Sequence, residues 1–182
     1  MTLLTGDRVS LLSADGQHLS VRPGRGRTGI RFAVERAGGS VYVIPHDAQA
    51  LVRAGAVDRR LFDVAGLVKA GYRDEERDTV PLIVQYGAGT SARVAASGTL
   101  STPGTRVVRE LPAVGGAAVV ANKDGLGALW SALTLASGVR RSATAGGVRR
   151  VWLDGRRQVS LDRSVPQIGA PAAWQAGYTG RG

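Results

Sequence analysis

Serine-nucleophile catalysis needs a serine, a histidine base and an orienting acid close in space. The chain has only two histidines, His18 and His46, and no cysteine. His46 stands beside Asp47 in IPHDA, where an acidic residue after a proline reads as a helix start with Asp47 as N-cap. His18 follows a turn signal and reads as solvent-facing. No G-x-S-x-G elbow occurs, so no residue is assigned a catalytic role. Two unclustered histidines without cysteine give no zinc spacing. The run Asp74, Glu75, Glu76, Asp78 lacks the glycine and the terminal glutamate of a calcium loop and reads as a solvated charged loop. Neither a metal nor a cofactor is expected. The stretch PGRGRTG (residues 23–29) has the backbone N–H groups and arginines to cradle a phosphate. It lacks the Lys-Ser/Thr ending of a P-loop and reads as a hairpin connection. LDG (residues 153–155) reads as a strand running into a turn.

The elements that would carry these residues are legible from periodicity and punctuation. RVSLLS (residues 8–13) and HLSVR (18–22) predict strands joined at Asp15-Gly16. GIRFAVER (29–36) alternates, with Ile30, Phe32 and Val34 inward. A Gly38-Gly39 turn leads to SVYVIP (40–45), completing a meander of hairpins. Leu51 and Val52 recur on a helical period before Gly55, a C-terminal cap signal. Residues 58–72 predict two short helices, interrupted at Gly66. PLIVQY (81–86) predicts a buried strand. Residues 87–105 are small and polar and predict a flexible loop. RVVRELPAV (106–114) and GAAVVANK (116–123) predict strands joined at Gly115-Gly116. Asp124 is placed to cap a helix whose Leu126, Leu129, Trp130 and Leu133 share a face. VRRVWLDG (148–155) predicts a last strand with Val151 and Leu153 on one side and Trp152 on the other.

From residue 81 the predicted order is strand, weak crossover, strand, strand, helix, strand. That is the ferredoxin-like split βαβ order with its first helix weak or lost. The fold class expected is α+β, a ferredoxin-like core preceded by a β-rich N-terminal extension.

The 182 residues have a hydrophobic fraction of 43%, compatible with a packed core, and no apolar run approaches the roughly 18 residues of a membrane helix. The formal charge is +10, almost all from arginine. Such a charge raises the alternative of a stand-alone basic module for nucleic acid or acidic surfaces. The arginines are spread along the chain, aromatics are only 5%, and stacking platforms are correspondingly few. No nucleic-acid partner is expected, and no membrane.

The closing stretch QIGAPAAWQAGYTGRG (residues 167–182) resembles the opening of a mature subtilisin-like serine peptidase. There a similar segment leads into a strand carrying the catalytic aspartate of a D-[ST]-G motif; here the sequence ends at Gly182, before such a strand. Upstream, ELPAVGGAAVVANKDGLGALWSAL (110–133) resembles the hairpin-then-helix of the propeptide of that family, and VRRVWLDG its closing strand. TGDRVSLL, GSVYVIPHDA and DRRLFDVAGLV resemble the longer N-terminal extension of zymogens from high-GC bacteria.

The resemblance implies a propeptide that assists folding of a secreted peptidase and inhibits it until degraded. Its sheet would pack on helices of the catalytic domain and its tail would lie in the substrate cleft. An exported precursor is implied, with a leader that MTLLTGDRVS does not supply. The organisation expected is an extension (1–78), a propeptide core (79–157), a processing tail (158–166) and a stub of the mature peptidase (167–182). Val159, Ser160 and Leu161 are the candidate cleft-binding residues. Leu161 is the best apolar residue for a specificity pocket, which places the processing junction between Leu161 and Asp162, with Val159 on the same strand face. The chain itself is expected to have no hydrolase activity, since the motifs for all catalytic residues of the family are absent.

Overall fold

A computed structural model describes residues 1–13, 17–87, 98, 100–134, 147–155 and 169–178. The architecture is α+β. Two hairpins come first: β1 (Arg8–Leu11) with β2 (Leu19–Arg22), and β3 (Phe32–Ala37) with β4 (Ser40–Pro45). The second is closed by Gly38 and Gly39, both at positive φ, between the paired Ala37 and Ser40. A two-residue turn of this hand requires that conformation at both positions, and glycine adopts it without a Cβ penalty. The Asp15-Gly16 turn falls outside the described residues.

Helix α1 (His46–Arg53) follows, then a 3-10 turn (Arg59–Phe62) and α2 (Val64–Lys69). The carboxylates of Asp58 and Asp63 cap these two short helices by accepting from Arg60 N and Gly66 N, the usual satisfaction of orphan N–H groups at a helix start. At α1 the expectation fails. The N-cap residue is Pro45 with no side-chain bond, because the Asp47 carboxylate is turned toward Arg27 and Trp130.

The second half builds a four-stranded antiparallel sheet from β5 (Thr79–Tyr86), β6 (Thr105–Leu111), β7 (Gly116–Asn122) and β8 (Val148–Leu153), in the order β6-β7-β5-β8. Helix α3 (Leu126–Thr134) lies between β7 and β8 in the chain. Asp124 does not cap it; it sits in a preceding 3-10 turn (Lys123–Gly125) with its side chain in solvent, 3.6 Å from Arg8. A short helix α4 (Ala170–Gln175) stands near the end.

β5, β7 and β8 bury alternate residues, so one face of the sheet is buried. Val80, Leu82 and Val84 of β5, Ala117, Val119 and Ala121 of β7, and Val151 and Leu153 of β8 share one continuous core with Leu126, Leu129, Trp130 and Leu133 of α3. The same core takes in Leu3, Leu4, Val43, Leu51, Leu61, Phe62 and Leu67 from the first half. Val34, expected inward, is exposed. Among the described residues β3 pairs as a strand only with β4, and its residues from Glu35 to Ala37 are exposed.

The small residues that open β7 reflect close strand approach. A methyl group added at Gly116 would run into the Val84 carbonyl oxygen and the Gln85 Cα on β5. Backbone cannot yield as a flexible side chain does. Gly116→Ala is therefore expected to destabilise by about 1–3 kcal/mol, seen as a lower urea midpoint at unchanged slope.

Candidate functional site

The second face of the sheet carries no covering element among the described residues. Residues directly opposed in an antiparallel ladder share a face, so the register gives its content. One row is Arg106, Val120 and Pro81; the next is Arg109, Ala118, Ile83 and Trp152; Gln85 and Arg150 follow. Apolar groups occupy the middle and arginines the margins. The Arg150 guanidinium lies 5.9 Å from the Trp152 ring centroid. Between the turn at Pro112–Val114 and the end of β8 this face deepens into a trough of about 860 Å³, lined among others by Ile83, Leu111, Val114 and Trp152. Val108 and Val114, on β6 and the adjoining turn, are 52% and 46% exposed. The Gln85 Nε2 donates to the Val114 carbonyl at 3.1 Å, whereas its Oε1, buried, has no hydrogen-bond partner. Buried polar atoms are rarely left so.

Both edges of the sheet are guarded. β6 carries a bulge between Val107 and Arg109 and two exposed arginines, devices that discourage strand addition. The outer edge of β8 is taken by residues 56–58, with Val57 bridging Val151 in parallel. What remains for a partner is the face.

A buried polar cluster holds the two halves together. Asp7, with no exposed side-chain surface, accepts from Thr5 Oγ1 (2.6 Å), Gly24 N (2.8 Å) and the Arg27 guanidinium (2.9 Å). Arg27 also donates to both oxygens of Asp47 (2.8 and 3.0 Å), and Trp130 Nε1 of α3 donates to Asp47 at 3.0 Å. Burial by itself would raise the Asp47 carboxyl; the bonds from Arg27 and Trp130 outweigh it and hold the group below the usual range. Burial would likewise lower Arg27, and the two carboxylates drive it well above the ordinary arginine value. The glycine-rich loop of residues 23–29 therefore does cradle an anion, and the anion is Asp7 of the chain itself. Its fork of donors is already saturated.

A second cluster centres on Asp74, which accepts from Thr2 N and Thr2 Oγ1 (both 2.9 Å) and from Lys123 Nζ (2.7 Å). Lys123, buried, also donates to the Tyr72 carbonyl at 2.6 Å. Burial would raise Asp74, and these bonds with the nearby N-terminal charge depress it instead. A carboxyl depressed on folding binds fewer protons than in the unfolded chain. Its stabilisation is complete above the unfolded value, about 4, and is lost as pH falls below it. Urea midpoints are expected to drop as the solution is acidified past about pH 4. Asp74→Asn is expected to start lower at neutral pH and to flatten that acid limb.

No family model, curated protein or solved structure matches this chain.

The residues singled out for chemistry lie apart. His18 is exposed at the start of the β2 arm. His46 opens α1 with its amide bonded to the Arg31 carbonyl at 2.8 Å. Of the acidic run, Asp74 is not solvated but tied to Thr2 and Lys123, while Glu76 lies 3.8 Å from Arg73. No group of three metal-ligating side chains occurs among the described residues. Val159, Ser160, Leu161 and Asp162, the expected tail and junction, lie outside the described residues. Trp152 lies on the face opposite Val151 and Leu153, as its place in the strand predicts. The Asp7–Arg27–Asp47–Trp130 cluster was not legible, since its members are dispersed along the chain. Among the described residues no helix is long and apolar enough to cross a membrane.

Proposed function

We propose that this chain is the propeptide region of a secreted subtilisin-like serine peptidase precursor, with the first residues of the mature domain attached. In this reading it acts as intramolecular chaperone and as inhibitor of the active-site cleft. The observation that carries the reading is the open sheet face. The strand order β6-β7-β5-β8 supports a split βαβ reading. One face is sealed by α3 and the N-terminal region, while the other presents Ile83, Val120 and Trp152 to solvent. Monomeric proteins seldom leave such a face without a partner. Strand β8, at the margin of this face, runs directly into the residues expected to bind the cleft.

Two further observations support it. Trp174 and Tyr178 of the mature-like segment are 54% and 76% exposed around α4, as expected for a strip that packs on a catalytic domain. Gly24 N and the Arg27 guanidinium of the glycine-rich loop, which could serve a nucleic-acid module, are bonded to internal carboxylates.

The mechanism is differential stabilisation. The open face binds the folded peptidase and not its unfolded chain, which shifts the folding equilibrium by mass action. The tail then pairs with the strand edges of the cleft through main-chain hydrogen bonds, with Leu161 and Val159 as pocket residues. The purified chain is expected to inhibit a bacterial subtilisin at sub-stoichiometric peptide turnover and then to be cut between Leu161 and Asp162, the new N-terminus read by mass spectrometry. It is expected to hydrolyse no peptide substrate by itself. Failure to inhibit, or peptide hydrolysis blocked by a serine-directed reagent, would overturn the reading.

A further inference from the structure

Main-chain pairing along the outer edge of β8 stops at Val151, where Val151 N donates to the Ala56 carbonyl (2.9 Å) and Asp58 N to the Val151 carbonyl (2.8 Å). Side chains continue the ladder for one more residue pair. Leu153 N donates to Asp58 Oδ2 at 3.3 Å, and Arg60 Nη2 donates to the Leu153 carbonyl at 3.3 Å. The two side chains are locked to each other, Arg60 Nη2 and Nε lying 2.7 and 2.9 Å from Asp58 Oδ2. Asp58 is fixed in turn by capping Arg60 N at 3.0 Å. On the inner edge Asp154 N donates to the Pro81 carbonyl at 3.0 Å.

A carboxylate that accepts and a guanidinium that donates reproduce the acceptor–donor pattern of a neighbouring strand. The last residues of a strand ordinarily fray; these are held from both sides. Arg60 and Gly155 also stand between two hollows, lining both the trough on the open face and a smaller cavity of about 300 Å³ beside Tyr72 and Arg77.

We propose that Asp58 and Arg60 are positioning residues for inhibition. They keep Leu153 and Asp154 in strand register and so fix the root from which the expected tail is presented. This inference rests on the propeptide reading above. It gives the N-terminal region a task that burying the core does not explain. A tail whose root is fixed loses fewer conformations on entering a cleft and has a higher effective concentration there.

The test uses the whole chain with purified bacterial subtilisin as probe. The inhibition constant is measured beside amide exchange at Leu153 and Asp154, with exchange at Leu82 and Val84 reporting the integrity of the sheet. Asp58→Ala is expected to speed exchange at Leu153 at least about tenfold and to weaken inhibition about tenfold, with Leu82 and Val84 unchanged. Arg60→Lys, which keeps one donor, is expected to recover part of both effects. If Asp58→Ala also loses protection at Leu82, the reading is taken from Arg60→Met, which keeps the Asp58 cap. Variants that inhibit as well as the unaltered chain, or that leave Leu153 exchange unmoved, overturn the clamp alone. An unaltered chain that does not inhibit overturns the propeptide reading and the clamp with it.

Discussion

Arg27→Met is expected to lower the free energy of unfolding by about 3–5 kcal/mol, measured as the urea midpoint at neutral pH. The guanidinium is the counter-charge for two carboxylates at once, and Asp7 has no exposed side-chain surface. Without it Asp7 keeps the Thr5 hydroxyl and the Gly24 amide as donors, and no cation. An unpaired buried charge costs more than the intact cluster contributes. Against a total stability of about 5–15 kcal/mol for a domain, the loss would leave the protein marginal. The companion Asp7→Asn/Arg27→Met removes the stranded charge and is expected to regain part of the loss, giving a coupling in a double-mutant cycle. Additive losses would mean that the two side chains act independently. The same cluster ties the Trp130 indole of α3 to the start of α1, so its failure removes one polar tie between the first half and the helix that seals the sheet.

The second large effect is on binding. Trp152→Ala and Ile83→Asp are expected to weaken inhibition of a subtilisin by about 2–4 kcal/mol, roughly 30- to 1,000-fold, with the unfolding midpoint nearly unchanged. Both residues are partly exposed on the open face and opposed to each other in the ladder, so their loss leaves little cavity in the core. Tryptophan, here beside the Arg150 guanidinium, is a residue type that dominates interface energetics. Leu12→Asp, on the exposed arm of the first hairpin, is the matched control and is expected to leave inhibition intact. Equal effects of all three substitutions would remove the open face from the binding site. The smaller predictions, Gly116→Ala on stability and Asp74→Asn on the acid limb, test the sheet spacing and the second polar cluster separately.

Local rules carried most of the strands and helices. Positive φ at Gly38 and Gly39, the caps at Asp58 and Asp63, and the two-sided alternation of β8 are each consequences of a few adjacent residues. Where the reading failed, a distant partner outbid a local one. Asp47 was placed to cap α1, and it faces Arg27 and Trp130 instead, because a charge-assisted bond in a buried site is stronger than a cap exposed to water. Asp74 sits in a run of charges that reads as solvated, and Thr2 and Lys123 reach it across the fold. Lys123 follows an apolar strand and gives no sign in the sequence that it is buried. Val34 alternates correctly but lies on β3, which among the described residues forms a sheet with β4 alone.

By itself the amino-acid order determined the α+β class and the succession of described strands and helix after residue 81. Those depend on periodicity, turn chemistry and motif order, all of which are local. Tertiary structure alone decided which face of the sheet is sealed, which edges are blocked and which carboxylate occupies the glycine-rich loop. Each of these is set by contacts between residues far apart in the chain, and a long-range ion pair or a strand edge leaves no period in the sequence to read.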